Sequence, residues 1–261
     1  MGIDLIQVGS TCPGIDRAYE ETPMNKIRIA AVAAAGLLAP AVAATTVSAE
    51  NDAPESEIAT YTITYRNITD AQYLTPPNFA AHSKGSGIFQ RNQPASAGLE
   101  AVAEAGDVPA LAGELAASID ANGLGVSGVG FTAGTTPGPI GPGAEVTFEV
   151  TTDEAHLSIA SMLVCTNDGF AGLDSWHLPV QDGQSRSVRL HAFDAGTEVN
   201  TEAAEDLVPA PFCELGAGAG ANLSPSEGGV VRPHQGIKGV GDLASHLDWN
   251  GPVAEITVSR G

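Results

Sequence analysis

Short segments of alternating apolar and polar residues, divided by glycine and proline clusters, most constrain what this chain can fold into. In YTITYRNIT, at residues 61–69, Tyr61, Ile63 and Tyr65 alternate with polar residues. Similar segments are EVTFEVTT, HLSIASMLV, SRSVRLHAF and PVAEITVSR. A period of two with β-branched and aromatic residues is typical of half-buried strands. The sequence therefore predicts a mostly β, antiparallel architecture.

One segment departs from this pattern. PASAGLEAVAEAGDVPALAGELAASID is rich in Ala, Leu and Glu, and its apolar residues recur at helical spacing. Gly106 can end a first helix, and Asp107 can cap a second one that has Pro109 in its first turn. We expect two short helices that pack an apolar stripe against the sheet.

The N-terminal part has the layout of a secretory signal peptide. A short basic segment follows Met24, an apolar run extends from Ile29 to Ala44, and small residues follow it. The alternative is a membrane anchor, but the run is shorter than the roughly 20 residues that a bilayer crossing needs. We therefore expect an upstream extension at 1–23, a cleaved signal peptide at 24–49, a disordered acidic linker at 50–57 and one domain at 58–261. This organisation predicts a secreted or periplasmic protein with no membrane insertion after signal cleavage.

The charge of the chain limits its partners. The sequence has 31 acidic and 11 basic residues, for a formal net charge of −20 at pH 7. Such a surface repels phosphate backbones and anionic lipid, so nucleic acid is not an expected partner. The same charge can attract divalent cations, or it can serve solubility alone.

Two cysteines, Cys165 and Cys213, lie after the predicted signal peptide. An even number in an exported chain indicates a disulfide. Two buried free thiols are the alternative, because the sequence shows no geometry.

Sequence motifs of common hydrolases are absent. The chain has no G-x-S-x-G, H-E-x-x-H, C-x-x-C or P-loop pattern. We therefore expect no enzyme. The alternative is a cell-envelope hydrolase in which His177 or His191 acts as a base near acidic loops, since distant residues can assemble a catalytic site on folding.

Two predicted loops carry carboxylates that could bind a hard cation. CTNDGFAGLDS follows a predicted strand and contains Asp168 and Asp174, and HAFDAGTEVNTE follows another and contains Asp194 and Glu198. Calcium prefers several oxygen ligands on loops that can bend. Neither loop has EF-hand spacing, and Asx turns would explain an isolated Asp-Gly equally well.

Six segments, in matching order, resemble the spondin N-terminal domain family, an F-spondin/mindin-like module that also occurs in secreted bacterial proteins. They are ITDAQYLTPPNFAAHSKGSGIF, ASAGLEAVAEAGD, SIASMLVCTNDGFAGLDS, HAFDAGTEVNTE, EGGVVRPHQGIKGVGDL and WNGPVAEITVSR. The resemblance covers about residues 58 to 260. It implies a C2-like antiparallel β-sandwich of eight strands with short added helices.

The resemblance also implies one calcium ion at the edge of the sandwich. Its ligands would be Asp168 from the loop after a core strand, and Asp194 and Glu198 from the turn that the family writes D-A-G-T-D. Glu198 departs from the family pattern, which has Asp there, and the longer side chain can bind through both oxygens or shift the ion.

The expected function is therefore a secreted, calcium-binding module for adhesion or extracellular binding. Its partner would be an unknown extracellular protein or glycan, and calcium would stabilise the loop edge. Besides the hydrolase, a third hypothesis is a halophilic stress or matrix protein with no specific ligand, in which only the charge matters.

Overall fold

The computed structural model describes residues 57–119, 123–215 and 224–261. The predicted upstream extension, the predicted signal peptide and residues 50–56 of the predicted linker lie outside the described residues. No helix in the described ranges is long and apolar enough to span a bilayer.

The described part of the chain is mostly β, as predicted, with two α-helices. The helices are α1 (Ala97–Ala105) and α2 (Val108–Ala117). The nine strands are β1 (Ala59–Asn67), β2 (Asn78–His82), β3 (Leu124–Val129), β4 (Glu145–Thr152), β5 (His156–Met162), β6 (Gly169–His177), β7 (Ser185–Asp194), β8 (Arg232–Pro233) and β9 (Ala254–Arg260).

The strands form one nearly closed antiparallel sheet in the order β3-β2-β5-β6-β7-β9-β1-β4, and the two-residue β8 pairs with β7. β7 connects the two halves of this sheet. Its first part pairs with β9 from Ser185 to Leu190, and its last part pairs with β6 from His191 to Asp194. The two halves of the expected sandwich are therefore continuous through one long strand.

The pattern of β1 shows how the sequence fixes the core. Tyr61, Ile63 and Tyr65 are buried, and the threonines between them face outward or are half-buried. Hydrogen bonds to β4 on one side and β9 on the other fix this register, and a slip of one residue would turn the apolar set toward water. The main apolar cluster accordingly contains residues from both halves of the sheet.

The helices cover the part of the sheet formed by β3, β2, β5 and β6, and they pack there through an apolar cluster of their own. Ser96 caps α1 by accepting a hydrogen bond from the backbone N–H of Leu99, and Gly106 ends the helix with a positive φ of 66°. Asp107 caps α2 by accepting from the N–H of Ala110. The end of α1 at Gly106 and the cap of α2 at Asp107 are as the sequence predicts, whereas the Ser96 cap was not predicted.

A disulfide between Cys165 and Cys213 joins the turn after β5 to the 3₁₀ helix Pro211–Cys213. Both cysteines are buried in a third apolar cluster. The covalent link therefore anchors the turn that leads into Asp168.

Candidate functional site

The pairing of β6 with β7 brings the two acidic segments together. Asp168 lies directly before β6, and Gly169, the first residue of β6, is the cross-strand partner of Asp194, the last residue of β7. The backbone N–H of Ala195 also donates to the carbonyl oxygen of Asp168 over 3.1 Å. The end of one strand and the start of the next thus place Asp168 and Asp194 at one edge of the sheet.

The first acidic segment is shorter than expected. Residues 169–177 form β6, so the predicted loop at 165–175 is wrong beyond Asp168. Asp174 lies exposed within β6, where its carboxylate accepts from the hydroxyl of Ser175, and it is not brought to this edge. The segment carries several glycines, which are infrequent in strands, and this composition misled the sequence interpretation.

The carboxylate of Asp168 is fully buried and holds the following turn. Its Oδ2 atom accepts hydrogen bonds from the backbone N–H of Thr197 at 2.8 Å and of Glu198 at 3.1 Å, and from the hydroxyl of Thr197 at 3.3 Å. Its Oδ1 atom is buried and has no hydrogen-bond partner. Oδ2 is therefore fully used as a hydrogen-bond acceptor, whereas Oδ1 remains available to a donor or a cation.

Asp194 is also buried, but both of its oxygens are used. Oδ1 accepts from the backbone N–H of Gly196 at 2.8 Å. Oδ2 accepts from the side-chain amide of Asn200 at 2.7 Å and from the guanidinium of Arg232 at 3.3 Å. Arg232 lies in β8, next to Asp194 in the register, and it also pairs with Glu227. Asp194 thus serves as the fixed centre of the turn and is balanced by a cation.

Glu198 has the opposite environment. It is 4% exposed, and its Oε2 atom is buried without a hydrogen-bond partner. Burial, followed by repulsion from Glu104, Asp168, Asp206 and Glu100, raises the pKa of Glu198 to about 8. Glu198 therefore binds a proton, or another cation, far more readily than an exposed glutamate does.

Asp168 shows the same effect to a smaller degree. Burial and the charge of Asp194 raise the pKa of Asp168 to about 6, although the three donors on Oδ2 oppose this rise. Glu104, at the end of α1 beside Thr197, also has a raised pKa, caused first by burial and then by Glu100. This edge therefore concentrates negative charge in a region of little solvent.

Two oxygen atoms at this edge are free to bind a cation. In the described ranges, no three or more His, Cys, Asp or Glu side chains are grouped so that they alone could hold a metal ion. Oδ1 of Asp168 and Oε2 of Glu198 are nonetheless buried oxygens that lack donors. Hard oxygen atoms suit calcium, which also accepts backbone carbonyl oxygens and water as ligands. The donor set fits calcium if carbonyls or water complete the shell.

Several residues that sequence reasoning did not single out complete this edge. Asn200, Arg232 and Glu104 contact Asp194 or Thr197, and Arg232 does so across 38 residues of sequence. Glu202, on the same connection, is buried and accepts backbone N–H groups from Lys238 and Val240. The only sequence signal for Glu202 was that an acidic residue follows the D-A-G-T-E segment at 194–198 by a few residues. This signal does not distinguish a structural carboxylate from a metal ligand.

The two histidines of the hydrolase hypothesis lie elsewhere. His177 ends β6, so the length of that strand separates it from Asp168. His191 lines a cavity of about 360 Å³ together with Arg91, His234 and Trp249. The described residues that line this cavity include no serine, threonine or cysteine.

Comparison with known proteins adds to this geometry. The sequence profile of the Spondin_N family matches residues 60–206, more than half of the chain, and the match includes Asp168, Asp194 and Glu198. A search of curated proteins finds no match. Because this match covers more than half of the chain, the chain belongs to the Spondin_N family.

Proposed function

We propose that this protein is an extracellular binding or adhesion module in which a calcium ion stabilises the edge formed by Asp168, Asp194 and Glu198. The observation that carries the calcium part is the pair of buried oxygens without donors, Oδ1 of Asp168 and Oε2 of Glu198. A buried polar atom without a partner is costly and rare in native proteins. A bound cation would satisfy both atoms at once.

The charge balance supports a divalent ion over simple hydrogen bonding. Glu198 is repelled by four neighbouring carboxylates, whereas the cation Arg232 is engaged by Asp194 and Glu227. Two carboxylates that share a buried region repel each other strongly unless one is protonated or a cation lies between them. A proton on Glu198 would remove the charge of that side chain. At higher pH, where Glu198 loses the proton, calcium would offset the negative charge instead.

The roles of the three acids then differ. Asp168 and Glu198 would supply ligand oxygens to the ion. Asp194 would contribute charge and hold the turn in place through Gly196 and Asn200, with Oδ1 still able to accept a second interaction. A bound ion would be shared by ligands from the turn after β5 and the turn after β7, and its positive charge would hold these two turns together.

The extracellular part of the proposal is supported by the family. Spondin N-terminal domains are typically extracellular. The disulfide between Cys165 and Cys213 suits an oxidising compartment. We propose an extracellular protein or glycan as the partner, because the negative surface disfavours nucleic acid and anionic lipid.

A calcium titration followed by thermal unfolding tests this proposal. Protein freed of metal by a chelator should unfold at a higher temperature as calcium is added, because a ligand that binds only the folded state stabilises it by mass action. Magnesium, which demands a stricter octahedral geometry, should have a smaller effect. An unfolding midpoint that does not change at millimolar calcium would reject the metal site and leave a protonated Glu198 as the explanation.

A further inference from the structure

Three histidines lie side by side across neighbouring strands. His82 at the end of β2 is the cross-strand partner of His156 at the start of β5, and His156 is the partner of His177 at the end of β6. The ring centres of His82 and His156 are 5.9 Å apart, and those of His156 and His177 are 4.2 Å apart. The strand register thus aligns three imidazoles that are 74 and 21 residues apart in sequence.

His82 is fully occupied by the fold. Its Nδ1 atom lies 2.8 Å from the carbonyl oxygen of Ser83, so Nδ1 carries the proton, because a carbonyl only accepts. Its Nε2 atom lies 2.8 Å from the hydroxyl of Ser158, which also accepts from the backbone N–H of Ser175. The Ser158 hydroxyl therefore donates to Nε2. Because both of its ring nitrogens are hydrogen-bonded, His82 is held in one orientation beside His156 and has no nitrogen available for a ligand.

His156 and His177 are less engaged. His156 is 7% exposed and its ring forms a hydrogen bond with the backbone of His82, but its Nδ1 atom has no hydrogen-bond partner. His177 is exposed, and within the described part of the chain its ring makes only the contact with His156. Burial first, and then His177 and His82, lower the pKa of His156, so this imidazole is neutral near pH 7 and its lone pair is free.

We propose that His156 and His177 together bind one divalent transition-metal ion of the Zn²⁺, Ni²⁺ or Cu²⁺ type, with water at the remaining positions. Neutral imidazole suits these ions, whereas calcium prefers oxygen. Two imidazoles on one ion, each at about 2.0–2.1 Å, place their ring centres roughly 4.5–5 Å apart. The observed separation of 4.2 Å lies close to this range.

The surrounding charges set the strength of this site. Lys84 lies near His156 and opposes a cation, whereas Glu154 lies near His82 and favours one. Because the protein supplies two ligands, we expect saturable binding in the micromolar range. The site is separate from Asp168, which lies before the opposite end of β6, and it does not depend on the proposed calcium function.

Zinc titration of the full chain by calorimetry, at pH 7.5 and in excess calcium, tests this inference. One zinc ion should bind, and His177→Gln should weaken binding by at least about tenfold, since one of two ligands is lost. His177 is exposed, so this variant should fold, and circular dichroism checks that it does. A matched control, His246→Gln on the 3₁₀ helix Ser245–Leu247, should bind zinc as the wild type does.

A second measurement varies pH. Zinc binding should fall as the pH drops below about 6.5, where histidine takes up a proton. The absence of saturable binding at sub-millimolar zinc, equal binding by His177→Gln and the wild type, or an equal loss of binding in His246→Gln would each overturn the proposal. A calcium response that persists in His177→Gln would show that the calcium site is independent of this result.

Discussion

The backbone N–H of Glu198 donates to Oδ2 of Asp168 over 3.1 Å, while Oδ1 of Asp168 and Oε2 of Glu198 are both buried without a partner. The main chain thus holds two carboxylates close together, and their mutual repulsion opposes this arrangement. Protonation or cation binding can relieve the repulsion, and these alternatives respond differently to pH and to substitution.

Stability of the calcium-free protein should decrease as the pH rises from 7.5 to 8.5. The pKa of Glu198 is about 8 in the folded state, above its usual value of 4.5, so the folded protein holds more protons than the unfolded chain in this window. Stability falls with pH wherever the folded state binds more protons. Denaturant unfolding at several pH values, in the presence of a chelator, measures this slope.

The window avoids opposite contributions from histidine. Burial lowers the pKa of His156 and of His234, and an unfolded histidine is still half protonated at about pH 6.5, so these groups make stability rise with pH up to about 7.5. Saturating calcium should flatten or reverse the decrease above pH 7.5. A calcium-free slope of zero would show that Glu198 is not the group that titrates.

Glu198→Gln should stabilise the calcium-free protein at pH 8.5 by about 1 kcal/mol, or about 2–4 °C in the unfolding midpoint. Glutamine resembles the protonated acid and removes repulsion with Glu104 and Asp168. At pH 6.5, where Glu198 is mostly protonated in the folded protein but ionised in the unfolded chain, the gain should be smaller. The same variant should lose most of the stabilisation by calcium, and thermal unfolding with and without calcium checks both results.

Asp194→Asn serves as the contrasting variant and should destabilise the calcium-free protein by about 1–2 kcal/mol. It weakens charge-assisted hydrogen bonds from Asn200 and Arg232, and the partly exposed Arg232 limits the loss. Thermal unfolding in chelator measures the change. Equal stabilisation by Asp194→Asn and Glu198→Gln would contradict the different roles assigned to the two acids.

The sequence predicted those parts of the fold in which one face of an element is buried. β1 alternates between buried and outward-facing residues, and both helices have recognisable caps. β2 gave no such signal, because its sequence NFAAH does not alternate between apolar and polar residues, and β3 contains two glycines in six residues. Their positions depend on tertiary pairing that short-range patterns do not encode.

The candidate site was predictable to the same extent. Asp168 and Asp194 stand at strand ends, and the pairing of β6 with β7 brings them together, whereas Glu198 lies in the turn after β7. The sequence could not reveal that Arg232 would neutralise Asp194 while Glu198 stayed without a cation, because both outcomes depend on contacts between distant segments. For the same reason the alignment of His156 with His177 follows from strand register alone.

Removal of the disulfide by Cys165→Ser with Cys213→Ser should destabilise the protein by about 2–4 kcal/mol, given the 48-residue separation. The constraint on the unfolded chain is lost, and a buried apolar cluster gains two hydroxyls. Urea unfolding of the double variant and of the reduced wild type measures the effect. Reduction of the disulfide should add the mass of two hydrogen atoms and lower the urea midpoint. If neither the mass nor the midpoint changes, the two cysteines are not linked.

Gly196→Ala tests the turn that carries Glu198, and Gly183→Ala is its matched control. The two glycines have φ values of 74° and 73°, so alanine meets a similar backbone penalty of about 1–2 kcal/mol at each position. A Cβ at Gly183 would meet nothing within 4 Å, whereas one at Gly196 would lie 2.5 Å from the backbone nitrogen of Val230. Gly196→Ala should therefore cost about 1–3 kcal/mol more than the control and should also weaken the calcium response, because the turn must move. Urea unfolding with and without calcium measures both quantities, and equal losses in the two variants would mean that the close approach of Gly196 to Val230 does not hold the turn in place.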